Sequence, residues 1–410
     1  MTKSTGMRAY QAARRLDCDG KYTLAIDGYD HALSINPKLN NVRIYKALAL
    51  GKLDRNTDAV VELQKAVEFD PQDAIAHYNL GFFLQETGNM VVAIEAYRNA
   101  SDLNPEDPDA PCVLGDALKD LEQYAEAEAA YRKALNLAPD DTCTLNNLAL
   151  MLTEIGRPNE SIPLLRHALY IDGNYCLAEV NLGDALYEAG ETEEALTRLA
   201  AAANRYPDNP WVLRQYAFRL VQEGRYEDCI ETFTRAISLE SADLGLDHIE
   251  ALRNLGIAYD NLDRPADAER CYRQALLIDP NDAHVLNSLG VSYGWDDRNE
   301  EAIDVYRQAI AADPLIGIVH FNLGIQLRKV GKYEEALHEF DTSIELGYDD
   351  ADLRYNRGCV YEDIGRIDLA LIDWHLAASS DEPDTAELAR QAIESVEIID
   401  QAIEPLTATN

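Results

Sequence analysis

Residues 74–107 read AIAHYNLGFFLQETGNMVVAIEAYRNASDLNPED, and residues 108–141 read PDAPCVLGDALKDLEQYAEAEAAYRKALNLAPDD. Placed one above the other and numbered from 1 to 34, the two stretches agree where chain geometry is most demanding. Position 8 is Gly81 and Gly115, position 20 is Ala93 and Ala127, and position 24 is Tyr97 and Tyr131. Position 27 is Ala100 and Ala134, and position 32 is Pro105 and Pro139. Positions 4, 7, 8 and 11 obey the i, i+3, i+4, i+7 rule of one helical stripe, and 20, 24 and 27 do the same on a second helix. Small residues at 8, 20 and 27 let the paired backbones approach, while the bulky residue at 24 fills the space against the neighbouring pair. Proline at 32 has no amide hydrogen and stops the second helix.

Working outward, the same phase holds with units starting at 6, 40, 74, 108, 142, 176, 210, 249, 283, 317 and 351. Position 27 is Ala in every unit but one, which has Ser343, and position 11 is always Leu or Tyr. Glycine near position 15 (Gly20, Gly88, Gly156, Gly190, Gly224, Gly331, Gly365) is the expected left-handed end of the first helix. Pro163 falls inside a second helix and is expected to kink it. A fixed period of this length is the mark of a solenoid in which each unit contacts only its neighbours.

On these residues the chain resembles the tetratricopeptide repeat family over residues 6–384. The resemblance implies an all-α fold, a right-handed α-solenoid of helix-turn-helix units with a concave groove lined by first helices. The expected organisation is an N-terminal tail at 1–5 and eleven units over 6–384. Five extra residues, Leu244–His248, stand between the units that start at 210 and 249 as a local irregularity where the solenoid bends or flexes. A capping helix follows at 385–404, then a disordered tail at 405–410.

Groove residues follow by subtraction. With 4, 7, 8 and 11 buried, positions 2, 5, 6, 9, 12 and 13 face the concavity. Position 6 carries Asn79, Asn147, Asn181, Asn254, Asn322 and Asn356 along one line. An amide has both donors and an acceptor, so such a line can hold the backbone of an extended peptide. It is similar to the asparagine ladder of some family members. Trp211, Arg214 and Phe218 share one helix at positions 2, 5 and 9, and Trp295 stands at position 13 two units later. Trp and Arg are typical binding anchors. Arg214 and Arg253 share position 5 of adjacent units, and with His284 they predict a locally positive pocket able to hold a carboxylate. No three consecutive units reproduce the family's clamp for chaperone tails. Trp374, at position 24, is assigned to the core.

Composition excludes other classes. The chain has 73 acidic and 36 basic residues, a net charge of −37. That excess repels phosphate, so no nucleic acid is expected as a partner, and no polybasic surface is present to hold a membrane. No apolar run is long enough to span a bilayer, so no membrane association is expected. The N-terminal stretch lacks the apolar core of a secretory signal. Seven cysteines include no CxxC pair, which points to reduced thiols and a cytoplasmic location. The eight histidines form no zinc spacing, and Asp17-Cys18-Asp19-Gly20 fails as a calcium loop because Tyr22 and Gly28 stand at its sixth and twelfth places. No metal, cofactor or catalytic residue is therefore expected, and the chain reads as a non-enzymatic, protein-binding scaffold. Its expected partner is another protein or peptide. The alternatives are a regulatory or targeting subunit of a separately encoded enzyme, and a scaffold that associates with itself.

Overall fold

The computed structural model describes residues 2–239 and 245–407. Among them every regular element is an α-helix, 23 in all. The chain divides into two compact units, one through Ala202 and one from Ala203 onward.

In the first unit the helices are α1 (Thr2–Cys18), α2 (Tyr22–Ile35), α3 (Asn40–Gly51), α4 (Asn56–Phe69), α5 (Ala74–Glu86) and α6 (Met90–Leu103). They continue as α7 (Asp109–Asp120), α8 (Tyr124–Leu137), α9 (Thr142–Glu154), α10 (Pro158–Ile171), α11 (Cys176–Glu188) and α12 (Thr192–Arg205), whose last residues fall in the second unit. The second unit has α13 (Pro210–Gln222), α14 (Tyr226–Leu239), α15 (Leu246–Asn261), α16 (Pro265–Ile278), α17 (Ala283–Trp295) and α18 (Asn299–Ala312). It ends with α19 (Gly317–Lys329), α20 (Tyr333–Glu345), α21 (Ala351–Asp363), α22 (Ile367–Ala378) and α23 (Pro383–Thr407). Odd-numbered first helices pack on the even-numbered helix that follows, as α5 does on α6 and α21 on α22. First helices of successive pairs also touch, α7 with α9, α9 with α11, α15 with α17 and α17 with α19.

The repeat positions explain the pairing. A Cβ placed on Gly81 would lie 2.6 Å from the Tyr97 ring, and one on Gly358 would lie 2.6 Å from Trp374. The bulky residue at position 24 therefore lies flat on the glycine of its own first helix, not only against the neighbouring pair. Tyr29, Tyr97, Tyr131, Tyr272, Tyr306 and Trp374 are all fully buried. Each such aromatic contributes about 1.5–3 kcal/mol through the apolar surface it removes from water. Buried tyrosine hydroxyls need acceptors, and first helices supply them: Tyr29 donates to Asp17 at 2.8 Å, Tyr97 to Gln85 at 3.1 Å, Tyr131 to Asp116 at 2.6 Å and Tyr272 to Asp260 at 2.8 Å.

Several boundaries differ from the sequence reading. The expected N-terminal tail is helical from Thr2, because α1 is longer than the other first helices. The final helix starts at Pro383 and takes in Pro405–Thr407, which the sequence assigned to the tail; residues 408–410 lie outside the described ones. Of the extra residues, Leu244 also lies outside them, but Leu246–His248 form an added turn at the start of α15. That helix has 16 residues where α13 and α17 have 13. Pro163 sits within α10, which runs unbroken from Pro158 to Ile171.

Candidate functional site

The candidate site begins with how α13 is started. Asn209 caps it, its side-chain oxygen accepting from the backbone N–H of Trp211 at 3.1 Å and Val212 at 3.3 Å. Pro210 occupies the first helical position, where its missing N–H costs nothing. Val212, Leu213, Ala217 and Leu220 then turn inward and are buried. Helical periodicity leaves Trp211, Arg214, Gln215 and Phe218 on the opposite side. They line a cavity of about 200 Å³, closed by Phe233 of α14 and by Asp247, Glu250, Ala251 and Asn254 of α15. Asn254 is 5 % exposed and sits at its floor.

The charge of this cavity differs from expectation. Asp247, supplied by the extra turn of α15, holds the Arg214 guanidinium at 2.7 Å. Arg253 stands 3.8 Å from Glu250 and is not part of the wall. His284 is exposed at the start of α17, where its backbone N–H donates to Asp282. One arginine against two carboxylates makes the lining neutral to acidic, so the predicted positive pocket does not form. The neighbouring His248 imidazole is held below its ordinary value, first by burial and then by Arg214. Repeat register could not reveal Asp247, because inserted residues have no equivalents in other units.

Trp295 is 65 % exposed and lines a different cavity of about 200 Å³, beside Asn261 of α15 and Asn287, Ser288 and Val291 of α17. Below it Asp260 accepts from Ser292 at 2.7 Å and Tyr272 at 2.8 Å. Burial raises the Asp260 pKa while these two hydrogen bonds oppose the rise. Thus Trp211, Arg214, Phe218 and Asn254 come together, whereas Arg253, His284 and Trp295 do not join them.

The asparagine line is also bonded within the chain. Asn147 donates to Asp116 at 2.9 Å, Asn181 to Asn146 at 2.8 Å and Asn322 to Asn287 at 3.0 Å, each tying one first helix to the preceding one. Asn79 and Asn356 donate to carbonyls of their own helices, Ile75 at 2.7 Å and Asp352 at 2.8 Å. Each primary amide keeps a second N–H for another acceptor. At Asn147, Asn181 and Asn322 the line therefore acts as a clasp between adjacent first helices.

Second helices carry ion pairs of a different kind. Asp373 is 1 % exposed and is held by Arg357 at 2.7 Å and Arg354 at 3.2 Å. Glu269 is bridged to Arg298 at 2.7 Å across two successive units. Among the described residues no group of three or more His, Cys, Asp or Glu side chains is placed to hold a metal ion, and no helix is long and apolar enough to cross a membrane.

Comparison with known proteins agrees with this architecture. Sequence profiles described as tetratricopeptide or TPR repeat match residues 47–88, 74–107, 113–240, 208–281, 253–315 and 321–384. A search of curated proteins gave no match. Among solved structures, a tetratricopeptide repeat protein from Parabacteroides merdae is 17% identical with a TM-score of 0.50, covering 61% of this chain and 97% of that one. Yeast Tom70 is 13% identical with a TM-score of 0.48, covering 98% of both chains. MamA is 23% identical with a TM-score of 0.38, covering 39% of this chain and 94% of that one. The repeat profiles together span nearly all the helix pairs, and the fold is one that generally mediates protein–protein interactions. The chain belongs to the tetratricopeptide repeat family.

Proposed function

We propose that this chain is a non-enzymatic scaffold that binds an extended segment of a partner protein on its first helices, with the α13–α15 cavity as the principal anchor site. The observation that carries this reading is the convergence of Trp211, Phe218, Arg214 and the buried Asn254 on one cavity. Flat aromatic walls take an apolar side chain, and the Asn254 amide offers donor and acceptor to a peptide backbone. Arg214 can also meet a carboxylate, but only in competition with Asp247. Seven cysteines with no CxxC pair among them, three of them buried, support a reducing compartment such as the cytoplasm.

Partners captured by the full chain at low and raised salt, and identified by mass spectrometry, provide the titrant. Calorimetry of that partner against Trp211→Ala is expected to show a loss of roughly 2 kcal/mol, about thirtyfold in affinity. Asp352→Ala, in the first turn of α21 and outside this cavity, should bind as wild type. Wild-type affinity in Trp211→Ala together with a loss in Asp352→Ala moves the site out of this cavity.

A further inference from the structure

We propose that the first-helix face of α3, α5 and α7 is a second docking surface, for an extended segment that carries a bulky apolar side chain followed about three residues later by Lys or Arg. Three large apolar side chains stand in solvent there: Leu48 is 37 % exposed, Ile75 63 % and Phe82 46 %. Leu48 and Phe82 share position 9 of successive units and Ile75 holds position 2. One unit on, the same two positions are Asp116 and Asp109. The surface therefore passes from apolar to acidic within one step of the solenoid. A patch of large exposed apolar side chains with a polar rim marks an interaction site.

Some carboxylates of this chain cluster with arginine or lysine, as Glu62 does with Lys46 and Lys65 and as Asp373 does with Arg354 and Arg357. Among the described residues no ion pair within 4.0 Å is formed by Asp107, Asp109 or Asp120, whereas the half-buried Asp116 accepts from Tyr131 and Asn147. Helix α5 contains no lysine or arginine, and α7 contains only Lys119. Between the two ends lies a cavity of about 120 Å³ walled by Ile75, Tyr78, Asp107 and Asp109. Tyr78 feels the uncompensated field: its hydroxyl pKa is raised first by burial, then by Asp109 and Asp107.

Charge complementarity selects the occupant. A second copy of this chain carries −37 and is repelled, as is nucleic acid. A cationic segment is attracted. First helices of neighbouring units stand about 8–10 Å apart, and an extended chain advances about 3.3 Å per residue, which sets the spacing of about three residues. The inference shares with the proposed function only the premise that first helices receive partner segments.

The test uses the immobilised full chain and a phage library of random dodecapeptides. Enriched sequences are expected to pair Phe, Leu, Ile or Met with Lys or Arg at that spacing. A fluorescein-labelled representative, followed by anisotropy, should lose affinity about tenfold or more with Phe82→Ala and severalfold with the pair Asp109→Asn and Asp120→Asn. Raised salt should weaken it, and Trp211→Ala should leave it unchanged. Leu48→Ala serves as a second apolar variant, with circular dichroism to confirm that each variant is folded. Enrichment of acidic or uncharged sequences overturns the proposal. So does binding that survives Phe82→Ala, Leu48→Ala and the double Asn variant. Loss only with Trp211→Ala overturns it too, while supporting the α13–α15 cavity.

Discussion

Four first helices end on a residue other than glycine in the left-handed region: Asp54, Glu122, Asp263 and Asp297, with φ between 56° and 58°. Seven others use glycine at the same position, such as Gly88 at φ 77°. A side chain in that conformation costs roughly 1–2 kcal/mol, less for Asp, whose short polar group bonds locally. Glu122 has no such relief by type, and glycine there would also give up some unfolded-state entropy. Glu122→Gly is therefore expected to raise stability by roughly 0.5–1 kcal/mol, and Gly88→Ala to lower it by about 1 kcal/mol. Urea unfolding of both variants checks this, and a loss of stability in Glu122→Gly would contradict it. At this scale the sequence was legible wherever backbone geometry decides: all seven glycines expected to be left-handed are so. It was not legible for charge. Arg214 and Arg253 read as a positive pair because register places them together, while Asp247 sits in the insertion and reaches Arg214 only through the added turn of α15.

Between elements, the pairing of first and second helices rests on an absent methyl group. A Cβ on Gly115 would lie 2.6 Å from the Tyr131 ring, inside van der Waals contact. Gly115→Ala should push α7 from α8 and cost about 1–3 kcal/mol, the range for overpacking a filled core. The chain itself suggests the remedy, since Ala149 is paired with the smaller Leu165 in α9 and α10, both fully buried. Adding Tyr131→Leu to Gly115→Ala should recover part of the loss, less the hydrogen bond that Tyr131 makes to Asp116. Chemical denaturation of the single and double variants gives the coupling directly. Independent, additive effects would show that these two side chains do not meet.

At the scale of the whole molecule, the net charge of −37 sets the electrostatics. Self-repulsion of that size opposes compaction and is screened over about 8–10 Å at physiological salt. The melting temperature should therefore rise as sodium chloride is raised from low ionic strength toward the physiological range. A fall over that range would mean that internal ion pairs such as Asp373 with Arg357 outweigh the repulsion. The sequence by itself determined the helices, their order, their turn residues and their buried stripes. These are local and periodic properties: a 34-residue phase assigns each residue to a face before any contact is known. Tertiary structure alone decided which face residues meet. Asn181 with Asn146 and Asn322 with Asn287 are 35 residues apart in sequence, and Arg214 with Asp247 are 33 apart. Those bonds depend on side-chain reach across neighbouring helices and on one inserted turn, and a repeating pattern of residue types carries no record of either.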